Sequence, residues 1–100
     1  MELDKIKAAL KEARPHLTEN TLKSYGYNIL RVYKMVQTTE FEKNAKKIAE
    51  EIKSGNLKPS IARALINSIA VYEKAKGRKT EKLDELKAGY DTEFLDTVKL

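Results

Sequence analysis

One hundred residues without a cysteine, carrying a formal charge of +5 from 20 Lys and Arg against 15 Asp and Glu, describe one small domain with a modest core. Disulfides, thiolate metal sites and cysteine nucleophiles are excluded, there is no room for paired nucleotide and substrate domains, and no apolar run approaches a membrane span. The positive excess favours polyanions, of which nucleic acid is the commonest, although lysine-rich solvated surfaces are ordinary too.

The start, Met1-Glu2-Leu3-Asp4-Lys5, has mixed charge and no apolar stretch, so no signal peptide is expected and the chain reads as intracellular. From there the pattern is helical throughout, and a single all-α domain over residues 1–100, a compact bundle of four to six short helices, is expected. The first helix covers Leu3 to Ala13, with Leu3, Ile6, Leu10 and Ala13 on one stripe, and Pro15 ends it by pushing residue 14 toward an extended conformation. Thr18 caps the second helix and Glu19 complements its dipole. Leu22, Tyr25, Ile29, Val32 or Tyr33, and Val36 form its core face. Gly26 lies inside that helix, where it costs about 1 kcal/mol against alanine, and its place between Tyr25 and Tyr27 predicts close approach by another helix.

Gln37 to Glu40 read as a connector. A third helix runs from Phe41 to Ser54 with Phe41, Ala45, Ile48 and Ile52 inward, and Gly55 is placed as the left-handed residue that closes it. The fourth begins after Lys58, with Ser60 as N-cap or Pro59 at its first position. Ile61, Leu65, Ile69 and Tyr72 make one stripe, widened by Ala62, Ile66 and Ala70, which suggests the central helix; Gly77 closes it. Thr80 caps a fifth helix to about Ala88 with Leu83 and Leu86 inward. Asp91 or Thr92 caps a last short helix bearing Phe94, Leu95 and Val98, an ending that argues for a complete protein rather than a fragment.

Nothing in this pattern points to catalysis. His16 is the only histidine, sits in a connector without a nucleophile, and reads as a surface or packing residue. One histidine cannot anchor a His-rich metal site, the adjacent Glu50 and Glu51 diverge on a helix, and phosphate-loop and dinucleotide fingerprints are absent. No catalytic residue, metal or cofactor is expected.

Two stretches carry a likeness. In the first, Thr18, Thr21, Tyr25 and Ile29 give a capping residue, a Thr-x-x-x-Tyr run and an apolar residue four places on, preceded by Arg14-Pro15-His16-Leu17. In the second, Pro59 and Ser60 open a helix continued by Asn67, Ile69, Val71 and Tyr72. Together they resemble the core-binding domain of tyrosine recombinases (phage-type integrases), in the version found in integrase-like proteins of large DNA viruses and mobile elements. The likeness spans residues 14–77. It implies a SAM-like fold, a duplex-DNA partner, and a location in cytoplasm, nucleus or virion. Ile61 stands where the family has Thr, and Ala64, Leu65 and Ala70 stand near Arg63 where it has further basic residues. The recombinase catalytic domain is missing, and Tyr90, without that context, reads as a helix-end packing residue.

The resemblance makes the outward faces of the second and fourth helices the candidate DNA surface. Lys23, Tyr27, Arg31 and Lys34 recur at spacings of four, four and three, one continuous stripe that offers cations to phosphates and a ring or hydroxyl to a base edge. Lys58, Ser60, Arg63 and Asn67 form a second polar stripe, Asn67 being suited to adenine. Lys74, Lys76, Arg78 and Lys79 cluster at the end of the fourth helix. The competing readings are solvated faces, with the last cluster complementing a helix dipole, and a protein-binding or self-associating domain that keeps the fold without DNA. A third is a piece of a longer integrase.

Overall fold

The computed structural model describes the backbone of residues 2–98 and the side chains of residues 2–90. Five helices follow in order: α1 (Leu3–Ala13), α2 (Glu19–Val36), α3 (Ala45–Ser54), α4 (Pro59–Ala75) and α5 (Glu81–Val98). No strand occurs among the described residues. The radius of gyration, 13.3 Å, is that of a compact fold of this length. The all-α bundle expected from the periodicity is the fold observed.

The start of α2 follows from its cap. Thr18 is extended and its Oγ1 accepts the Thr21 N–H at 3.3 Å, satisfying one of the amides a helix start leaves without a partner. Glu19 pairs with Lys7 of α1, and Lys11 Nζ donates to the Leu17 carbonyl at 3.1 Å, so α1 is tied to the entry of α2 twice. At Gly26 side chains of α1 lie directly against α2. A Cβ there would stand 2.4 Å from Leu3 Cδ1, the close approach its sequence position predicts.

The central element is α4, which packs against α1, α2 and α5, while α3 closes the side between α2 and α5. The core is formed by Ile6 and Leu10 of α1, Leu22, Ile29, Val32 and Val36 of α2, and Ala45, Ile48 and Ile52 of α3. Phe41, Leu83 and the broad face of α4 from Ala62 to Tyr72 complete it. Between Val32 and Tyr33 it is Val32 that is fully buried; Tyr33 is half-buried. A polar link crosses the α2–α4 contact. Buried Ser68 donates to the Ala64 carbonyl at 2.8 Å and accepts from Asn28 Nδ2 at 3.0 Å, so its hydroxyl is satisfied inside the core.

Several boundaries differ from the sequence expectations. Residues 41–44 form a turn of i→i+3 bonds rather than the first turn of α3, and the Phe41 N–H is taken by the side chain of Glu73. Gly55 is not left-handed (φ −76°). The chain continues one residue further, and Asn56 adopts φ 51°, a conformation asparagine tolerates better than most residues. Gln37 closes α2 at φ 57° and returns its Nε2 to the Lys34 carbonyl at 2.9 Å. Pro59, not Ser60, opens α4: Lys58 is the extended N-cap and Pro59 supplies the first helical position. Ala13 and Ile61 are exposed, each in the terminal turn of its helix at the edge of the core. The expected fifth and sixth helices are one, since α5 runs through Gly89, Asp91 and Thr92 without a break. A single glycine weakens a helix by about 1 kcal/mol and does not end it. Tyr90 packs against the core from within α5 rather than at a helix end. The inward positions expected for Phe94, Leu95 and Val98 lie outside the described side chains.

Candidate nucleic-acid interface

Lys23, Tyr27, Arg31 and Lys34 are all exposed on α2. At 3.6 residues per turn they fall within an arc of about 80°, opposite the buried line of Leu22, Ile29, Val32 and Val36. Tyr27 is 60% exposed, the most open large apolar side chain among the described residues. From Asn20 to Thr39 the chain contains no carboxylate at all. The only acid on α2 is Glu19, which lies in its first turn and is engaged with Lys7. Hydrogen bonding to Lys7 holds the Glu19 carboxyl below the ordinary glutamate value and the Lys7 ammonium above its own. Among the described residues no ion pair engages Lys23, Arg31 or Lys34.

The second stripe is more interrupted. Lys58, Ser60 and Arg63 are exposed at the start of α4, but Asn67 is half-buried and the helix is enclosed from Ser68 to Glu73. The polar stripe therefore ends after about two turns, and Lys74 emerges beyond the enclosed stretch.

The cluster at the end of α4 separates into different roles. Lys76 Nζ stands 5.7 Å from the centroid of the Tyr72 ring, a cation–π distance. Arg78 Nη1 donates to the Glu73 carboxylate and to the Thr39 carbonyl, both at 3.2 Å, so this guanidinium joins the α4–α5 turn to the α2–α3 connector. Lys79 is exposed. Arg78 and Lys79 line a cleft of about 420 Å³ with Glu40, Glu42, Lys43 and Glu73, a mixed-charge environment rather than a basic one.

Sequence reasoning missed the two carboxylates that organise this end of the molecule. Glu73 is 1% exposed and accepts both the Phe41 N–H and Arg78. Burial pushes its carboxyl above the ordinary glutamate value, while the Phe41 amide and Arg78 oppose that rise. A signal was available, since Glu73 stands four residues after Ile69 and seven after Ile66, on the inward face. Glu42 accepts the backbone N–H groups of Lys82 and of Leu83, the latter at 3.2 Å. It thereby caps α5 from 40 residues away, and no local pattern announces a cap supplied over that distance.

No helix among the described residues is long and apolar enough to cross a membrane, and no group of carboxylates and histidines among them is placed to hold a metal. Comparison with family models, curated proteins and solved structures gave no match to this chain.

Proposed function

We propose that this protein is a non-catalytic DNA-binding module that grips duplex DNA through its phosphates, with the outward face of α2 as the principal contact. One observation carries the reading: Lys23, Arg31 and Lys34 share an exposed helical face with no carboxylate from Asn20 to Thr39, and Glu19, one turn before Lys23, is paired with Lys7. An α-helix fits the major groove, and cations along its flanks reach the backbone. Lys58 and Arg63 at the start of α4 and Lys74 near its end supply further contacts, with Ser60 and Asn67 between them. Arg78, held by Glu73 and Thr39, is left out of the grip. The likeness of residues 14–77 to recombinase core-binding domains supports the same reading, with action inside a cell or virion. The exposed Ile61, and Ala64, Leu65 and Ala70 where the resembled family has further basic residues, favour the competing reading of a protein-binding or self-associating domain.

Fluorescence anisotropy of a labelled random-sequence duplex, titrated at two salt concentrations, tests the proposal. Six neutralised phosphates give a log–log salt slope of roughly −5. The double variant Arg31→Glu, Lys34→Glu is expected to lose binding with unchanged helicity, since both side chains are exposed. Absence of binding at low salt, or binding indifferent to salt, refutes the DNA reading; a concentration-dependent oligomer in its place favours protein assembly.

A further inference from the structure

The arrangement on α2 assigns a second role to its exposed face: we infer that Tyr27 reads the base edges and biases binding toward thymine through the 5-methyl group. The inference rests on the DNA reading of α2 and specifies what that surface recognises. On the helical projection Tyr27 lies at the crest of the stripe, with Lys23 and Lys34 about 20–40° to one side and Arg31 about 40° to the other. A helix whose flanking cations reach the two phosphate walls of a major groove turns its crest to the groove floor, where the base edges lie. From Lys23 to Lys34 the stripe is about 16 Å long, the rise of about five base pairs, so a single crest side chain meets a small number of bases.

The crest residue is an aromatic ring 60% open to solvent. Its hydroxyl makes no hydrogen bond within the fold among the described residues, and its ring joins neither the core nor the Phe41–Tyr72 edge contact. In the major groove the apolar feature that distinguishes one base from the others is the thymine methyl, and a ring edge is suited to covering it. The flanking residues on this face, Asn20 and Ser24, are small and polar and leave the ring prominent.

The test compares a short alternating A·T duplex with its counterpart in which every thymine is replaced by uracil, in the same low-salt anisotropy assay. Covering one methyl predicts binding about fourfold tighter to the thymine duplex. Tyr27→Phe is expected to keep that preference and Tyr27→Ala to lose it while still binding in a salt-sensitive manner. Salt-sensitive binding of the unaltered protein that is equal for the two duplexes overturns the role of Tyr27 and leaves the DNA reading standing. A thymine preference that survives Tyr27→Ala overturns it too, because the discrimination then comes from duplex shape or from another side chain. No binding to either duplex at low salt overturns both readings.

Discussion

Replacing Glu73 separates two roles that its carboxylate combines. The side chain is buried, accepts the Phe41 amide at 3.2 Å and pairs with Arg78 at 3.2 Å. Glu73→Ala strands the Phe41 N–H, a loss of about 1–3 kcal/mol, and removes one buried methylene worth about 0.8 kcal/mol. Release from burying a charge offsets part of this. Arg78, whose side chain is 43% exposed, can return to water, so its lost pairing adds little. The net expectation is destabilisation by about 2–3 kcal/mol, which lowers the melting temperature by roughly 10–20 °C in a domain of this size. Glu73→Gln keeps an acceptor for the amide and keeps the stem, and is expected to stay within about 1 kcal/mol of the unaltered protein at neutral pH.

The pH dependence gives a second readout. Because the folded-state pKa of Glu73 is raised, the native state holds its proton more tightly than the unfolded state. The stability from this group is fully present below the unfolded glutamate pKa of about 4.3, and is lost as pH rises through the folded value. Urea unfolding followed by circular dichroism from acid to neutral pH should show the unaltered protein losing stability relative to Glu73→Gln across that window. If Glu73→Gln is as damaging as Glu73→Ala, the ion pair with Arg78 and not the hydrogen bond to Phe41 holds this corner. If the two pH curves run parallel, the buried carboxylate titrates alike in both states and the reasoning about its burial fails.

Two other sites give sharp expectations. Glu42→Ala removes the acceptor for two first-turn amides of α5, with a loss of about 1–2 kcal/mol; hydrogen exchange should show lost protection at Lys82 and Leu83 before the rest of the bundle, and uniform loss would argue against a local cap. At Gly26, the obstructing atom is the tip of a half-buried Leu3 near the chain start, which can rotate away while the helix gains about 1 kcal/mol in propensity. Gly26→Ala is therefore expected within about 1 kcal/mol of the unaltered protein, whereas Gly26→Ile should lose about 2–3 kcal/mol by forcing α1 off α2; equal effects of the two in urea unfolding would show that backbone freedom, not space, selects glycine here.

Helices and core positions were legible because their signals are local. The apolar period of α1, α2 and α4 and the Thr18 cap depend on residues within a few turns of one another. The errors fall where a distant partner decides the local geometry. The amide of Phe41 is held by Glu73, 32 residues away, and the first amides of α5 are capped by Glu42. Helix ends were the other weak point. Asn56 rather than Gly55 takes the left-handed turn because the last turn of α3 runs one residue longer than its glycine suggests. At Gly89, one weak helix former between good ones does not stop α5. For the candidate site, spacing identified the α2 stripe as a surface, but could not show that Arg78 is tied into the fold or that α4 is enclosed after Asn67.

The division of charge across the molecule bears directly on the α2 surface. Among the described residues several carboxylates are turned toward the chain's own donors, among them Glu19 to Lys7, Glu42 to the start of α5, and Glu73 to Phe41 and Arg78. Two of them, Glu42 and Glu73, sit at the α4–α5 end, and Glu19 lies at the entry of α2. The stretch from Asn20 to Thr39 retains three cations and no acid. A lysine-rich surface that served only solubility would gain from interspersed signs of charge, as in the mixed cleft around Arg78. On α2 the like charges are instead kept on one face with an aromatic ring between them, and an anionic partner along that face relieves their mutual repulsion. That asymmetry is why the Arg31 and Lys34 reversals, rather than changes in the larger cluster from Lys74 to Lys79, are the decisive substitutions for the function proposed.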